Sequence, residues 1–200
     1  MAKNKKRHFI YNFFDTVLVF VILTGLVIFF THIISSGKLD RKRYPLMYDE
    51  IVSKYCEIYD VDRYLVHSII RTESFFKTDA VSNKGALGLM QIMPDTGTWI
   101  ADELNLENFT KEDLLDCEKN IMMGVWYLDY LLGRFDYNVE TTIAAYNAGP
   151  TIVSKWLNDD SLSSDGENLT NIPFDETKKY REKVSNAYSM YLKLYEGAQI

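Results

Sequence analysis

The stretch RTESFFKTDAVSNKGALGLMQIMP, Arg71 to Pro94, puts a carboxyl group where a core residue is expected. Seven residues make almost two helical turns, so Glu73 shares a face with Val66, Ile69 and Ile70. That apolar stripe points the carboxyl inward, into the last helical turn, where unpaired carbonyls gather partial negative charge. Desolvation and the helix dipole both disfavour the ionised form and raise its proton affinity. A carboxyl that keeps its proton near neutral pH can act as a general acid, as cleavage of a glycosidic bond requires. The competing reading is a structural glutamate bridged to Arg71, Lys77 or Lys84. For Glu73 taken alone that reading is the better one; its neighbours overturn it.

Those neighbours are ligand-binding residue types. In GALGLMQIMPDT, Gly85 to Thr96, Gly85 and Gly88 let backbone approach a ligand or simply turn tightly. Gln91 offers an amide donor and acceptor to a polar ligand. Met93 offers a soft apolar surface to a ligand, although such a methionine usually packs a core. Asn147, in AAYNAGP, either binds ligand or caps a short helix. Hydrolases of glycosides need a second carboxylate at a defined separation. The nearest in sequence are Asp79, which reads as a loop turn residue, and Asp95, which reads as a helix cap before Thr96.

Helices must position these groups. The pattern predicts helices over Leu46–Tyr59, Val61–Ser74, Thr96–Leu104, Asn120–Phe135, Thr141–Tyr146, Thr151–Leu157 and Thr177–Tyr195. Asn158 to Asn171 is polar and acidic, a surface loop. Strand signal is scarce, so the fold class is all-α or nearly so.

The N-terminus differs in kind. Thr16 to Ile34 contains no Asp, Glu, Lys or Arg. At the helical rise those residues span about 28 Å, close to the hydrocarbon thickness of a bilayer. The expected organisation is a basic segment 1–15, a transmembrane helix 16–34, a linker 35–45 and a catalytic domain 46–200. Basic residues flank the apolar run on both sides, so charge leaves the orientation open. Its length favours an uncleaved signal anchor, with Ser35-Ser36-Gly37 as the alternative cleavage site.

The first 43 residues hold eight Lys or Arg and two Asp or Glu, so the remainder carries a net charge of −12. So acidic a domain repels phosphate backbones, which argues against a nucleic-acid partner. Two cysteines, Cys56 and Cys117, are too few for a disulfide framework and wrongly spaced for zinc; buried free thiols are favoured over a pair.

Taken in order, Glu73-Ser74, GALGLMQIMPDT, NIMMGVWYLDYLL, AAYNAGP and the tail IPFDETKKYREKV resemble the lytic transglycosylases with a soluble-lytic-transglycosylase domain, which share a fold with goose-type lysozyme. The resemblance covers about residues 46–195. It implies that Glu73 is the single catalytic acid/base, that Ser82 and Tyr146 hydrogen-bond around it, and that Ser74, Gln91, Met93, Asn147 and Glu176 contact saccharide. Alone, Glu176 would read as a solvated residue at a helix start. Lys77-Thr78-Asp79 replaces a stretch that commonly carries proline in that family, and Gly97 stands where alanine is frequent.

The implied reaction cuts the β-1,4 bond between N-acetylmuramic acid and N-acetylglucosamine and leaves a 1,6-anhydro end, with no metal and no cofactor. Peptidoglycan glycan strands are the expected partner, with envelope proteins as further partners. That substrate lies outside the cytoplasmic membrane, so the expected topology is single-pass with the catalytic domain extracytoplasmic. Two alternatives stay open: a lysozyme-type hydrolase on the same fold, and a catalytically silent wall-binding part of an envelope machine.

Overall fold

A computed structural model describes residues 17–31 and 38–196. The chain divides into two compact units, Met1–Pro45 and Leu46–Ile200. In the first, residues 17–31 form helix α1 with every side chain exposed. Thr24 donates its hydroxyl to the Phe20 and Val21 carbonyls and Thr31 to that of Ile28, so the polar groups of this apolar helix are satisfied by its own backbone. Among the described residues no helix is long and apolar enough to cross a membrane. The expected 16–34 span runs at both ends into residues outside those described. Helix α2, Lys38–Arg43, follows.

The second unit is built of helices joined by loops: α3 (Asp49–Tyr59), α4 (Arg63–Glu73), α5 (Pro94–Glu103), a 3-10 turn (Lys111–Leu115), α6 (Cys117–Arg134), α7 (Val139–Ala148), α8 (Pro150–Leu157), α9 (Asp175–Tyr191) and a closing π turn (Leu192–Glu196). Among the described residues the only strand-like pairings are two antiparallel bridges, Val81 with Leu87 and Leu87 with Ile92.

Helix α4 is the centre. Asp62 caps it by accepting from the Tyr64 and Leu65 amides at 2.7 and 3.3 Å, an arrangement that contributes about 1 kcal/mol. Residues 64–70 are all buried. One side of α4 packs on α9, while α3 lies on α6 and α7 lies on α9. Val66, Ile69 and Ile70 sit at zero exposure in the main core with Leu89, Met90, Ile121, Leu128 and Val184. The stripe that predicted an inward Glu73 is therefore real. The helix ends at Glu73 because Phe75 and Phe76 take left-handed φ values of 52° and 65° and turn the chain away.

A smaller cluster gathers Leu131, Phe135, Val153, Trp156, Leu169 and Ile172. It explains why the 158–171 loop is knit rather than loose. Leu169 is buried there, and the Asp165 carboxylate accepts from the Glu167 and Asn168 amides and from the Asn168 side chain. These bonds hold the Asp165 carboxyl well below the usual carboxylate range. Cys56 and Cys117 are both free thiols.

Helix α5 starts at Pro94, two residues before the expected Thr96, because proline is pre-set for the first helical position. Asp95 consequently lies in the first turn; Met93 occupies the cap position. Gly97 is buried, and a Cβ there would press to 3.0 Å from Leu114 Cδ1 and 3.2 Å from Phe109 Cζ. Close packing thus explains a glycine that costs about 1 kcal/mol of helix propensity.

Candidate active site

The loop from Ser74 to Met93 carries one wall of a recess onto the end of α4. Its path depends on Gly88 and Asn120. Gly88 has φ of 76°, and a Cβ on it would run into the Leu114 carbonyl and the Asn120 side chain. Asn120, fully buried in the first turn of α6, accepts from the Met90 amide at 2.8 Å. Its amide group donates to the Leu87 and Leu114 carbonyls at 3.0 and 2.7 Å. Every hydrogen-bonding atom of that side chain is used to pin the glycine-rich run.

The recess holds about 230 Å³. Glu73 reaches it from α4, Ser82 and Lys84 from the loop, Tyr146 and Asn147 from α7, and Glu176 from α9. Gln91 and Met93 complete the wall. Burial pushes the Glu73 carboxyl up to about 7, the nearby Glu176 charge pushes it the same way, and the Tyr180 hydroxyl opposes both. No lysine or arginine takes part, and Lys84 is committed elsewhere: it holds both carboxylate oxygens of Glu176 at 2.9 and 2.8 Å. The structural alternative of a Glu73–Lys84 bridge is thereby replaced by a Lys84–Glu176 pair across the mouth of the recess.

The other expected residues take distinct positions. Ser82 accepts from the Ala86 amide at 2.9 Å and closes its own turn, leaving the hydroxyl proton for a partner in the recess. Tyr146 donates to the Met90 carbonyl at 2.9 Å, so its oxygen is left to accept from a protonated Glu73. Burial, Glu73 and Tyr127 hold its own proton on, well above the ordinary tyrosine range. Asn147 does not cap a helix. Its carbonyl oxygen accepts from Thr177 on α9 at 2.7 Å, which turns the amide protons to the recess it lines.

Two of the expected residues hold backbone carbonyls. Gln91 spends its amide donor on the Ala80 and Gly88 carbonyls at 3.1 and 2.7 Å, so only its oxygen remains for a sugar donor. Ser74 is buried and donates to the Ile70 carbonyl at 3.1 Å; it terminates α4 and does not line the recess. A serine beside the end of a helix is drawn to the free carbonyls there before it is drawn to a ligand.

Sequence reasoning passed over Tyr180 and Asn120. The Tyr180 hydroxyl is buried with no partner in hydrogen-bonding geometry, yet lies near enough to Glu73 to favour its ionised form. Such a contact, loose in the free protein, is the kind that tightens around a bound substrate. Its signal was the tyrosine of DETKKY, four residues after Glu176 on one helical face.

The recess continues in one direction. Gln91, Met93, Tyr146 and Asn147 also line a second hollow of about 230 Å³, and Thr96 and Tyr127 join that one to a third of about 370 Å³. The third is walled by aromatic rings, with Trp99 4.9 Å from Tyr130 and Tyr130 stacked 5.9 Å from Trp126. Glu73 thus stands at one end of a cleft whose opposite end is an aromatic shelf.

Comparison with known proteins places this geometry. The family model "Transglycosylase SLT domain" matches residues 50–168. The chain is 35% identical over 158 residues to the soluble lytic murein transglycosylase of Escherichia coli, covering 78% of this chain and 24% of that one. It is 31% identical to the membrane-bound lytic murein transglycosylase C of Edwardsiella ictaluri, covering 78% of this chain and 49% of that one. The fold superposes on the 70 kDa soluble lytic transglycosylase of Escherichia coli with a TM-score of 0.68 at 31% identity, over 76% of this chain and 25% of that one. An inactive mutant of the Pseudomonas aeruginosa enzyme gives a TM-score of 0.67 at 29% identity, over 76% of this chain and 25% of that one. The chain spans about a quarter of the soluble relatives and about half of the membrane-bound one.

Proposed function

Because the chain belongs to the transglycosylase SLT domain family, we propose that it is a lytic transglycosylase of peptidoglycan with Glu73 as its only acid and base. The observation that carries this reading is the Glu73 carboxyl, pushed up to about 7 by burial inside a recess. At neutral pH such a group is poised between donor and acceptor. Protonated Glu73 gives its proton to the glycosidic oxygen as the bond to the muramic C1 breaks. The N-acetyl oxygen of the same sugar closes on C1 and shares the positive charge. Ionised Glu73 then takes the proton from the C6 hydroxyl, whose oxygen attacks C1 and displaces the N-acetyl oxygen. The product is the 1,6-anhydro ring, with no water consumed and Glu73 restored.

Hydrolysis is the second reading, because Glu176 brings a second carboxylate into the recess. Glu176 is exposed and bonded through both oxygens by Lys84, so it suits contact with saccharide better than attack on an anomeric carbon. Purified murein digested in ¹⁸O-water separates the two by mass spectrometry. Transglycosylation yields anhydro ends without ¹⁸O, and hydrolysis yields reducing ends that carry it. Glu73→Gln should lower turnover by about a thousandfold while the variant still binds strands; unchanged turnover would defeat the assignment and leave a silent wall-binding protein.

The apolar run from Thr16 to Ile34 supports a single-pass anchor with the 46–200 domain on the extracytoplasmic side, where the wall polymer lies. A helical 17–31 segment whose side chains are apolar apart from Thr24 and Thr31 fits that reading.

A further inference from the structure

The geometry points to Arg134 as a receptor for a carboxylate of the peptide stem on the glycan strand, seated at the aromatic end of the cleft. This rests on the peptidoglycan reading above and names what part of that substrate the far end recognises. Arg134 is the last residue of α6, exposed, and lines the third hollow with Trp99, Tyr130 and Thr151. Its guanidinium is steadied by two neutral hydroxyls, Tyr130 on its own helix at 3.2 Å and Ser154 on α8 at 3.4 Å. None of the ion pairs among the described residues involves it. In a domain of net charge −12, a cation fixed by neutral groups keeps its planar fork open to an outside anion.

The cleft defines which anion. It is continuous from Glu73 to Arg134 through shared wall residues, so a strand with its bond at Glu73 extends towards this shelf. The glycan backbone of such a strand is neutral. Its negative charges are the carboxylates of the stems borne on muramic acid. Trp99 and Tyr130 offer apolar faces to the methyl-rich body of a stem or to a sugar ring, and Arg134 offers paired N–H groups to its carboxylate. Asp95 also lines this hollow, so Arg134 is its one cationic side chain among the lining residues.

The test uses the full-length chain on two substrates of equal size: native peptide-bearing strands, and the same strands with stem carboxylates converted to primary amides. Wild type should lose about fivefold in kcat/KM on amidation, the size expected of an exposed charge pair. Arg134→Gln should lose about fivefold on native strands and nothing further on amidated ones, with Arg134→Lys between them. Equal sensitivity of wild type and Arg134→Gln to amidation would overturn the assignment. So would a loss by Arg134→Gln on both substrates alike, which a helix-terminal arginine acting only on structure predicts. Calorimetric binding of the same strands to Glu73→Gln and to Glu73→Gln/Arg134→Gln reads the preference independently of turnover. A failure of lytic activity is thereby distinguishable from a failure of this site.

Discussion

Opposed influences act on the proton of Glu73. Burial holds it on, the Tyr180 hydroxyl, approaching from α9, favours its release, and the Glu176 charge adds to the hold. Tyr180→Phe removes the second influence alone. The alkaline limb of the kcat/KM profile, set by loss of the acid's proton, should move up by about half a pH unit. Stability should not fall at pH values where Glu73 is protonated, because the lost hydroxyl is then buried without a partner. Glu73 itself imposes a pH-dependent cost. Its folded proton affinity, about 7, lies above the ordinary glutamate value of 4.5, so the folded state binds more protons than the unfolded state between those values. Stability therefore declines as pH rises through that window and is restored below it. Urea unfolding should find Glu73→Gln equal to wild type near pH 4 and more stable by about 3 kcal/mol at pH 8.

The elements explain what could be read in advance. Glu73's inward direction was legible because a 3.6-residue period carries through α4 into its last turn, where the structure buries Val66, Ile69 and Ile70 and leaves Glu73 half-buried at the recess. Boundaries were less legible. The first helix of the domain begins at Asp49 rather than Leu46 because Tyr48 takes a left-handed φ of 62°, which no local pattern announces. The glycine-rich run was legible as a motif but not as a path, since Asn120, thirty residues beyond Met90, holds it. The 158–171 loop was read from its polar letters, whereas Leu169 and Ile172 anchor it to Trp156. Asn120→Ala tests the clamp. It takes from the buried Met90 amide and Leu114 carbonyl their Asn120 partner, while Leu87 keeps the Ile92 amide, and should cost about 2–4 kcal/mol in chemical denaturation. Activity should drop as well, because the Met90 carbonyl seats the Tyr146 hydroxyl.

At the scale of the whole chain, the two units divide the work. The 46–200 unit contains both hydrophobic clusters and every residue of the cleft. A chain begun at Leu46 should fold, remain soluble and digest purified murein within about twofold of the full-length rate, since none of the chemistry lies before it. Full-length protein should instead sediment with membranes and resist extraction by high salt, as a spanning helix does and an electrostatic attachment does not. Recovery of the full chain in the soluble fraction would remove the anchor from the proposal and leave the active site untouched.

The proposed chemistry depends on a single carboxyl that changes protonation near neutral pH in the free protein. Its titration can be followed directly by carboxyl ¹³C chemical shift in glutamate-labelled protein, with Glu73→Gln identifying the resonance. The structure predicts a midpoint of about 7. A midpoint at or below the ordinary glutamate value would contradict it, because Glu73 would then have no proton to give when the glycosidic bond must break.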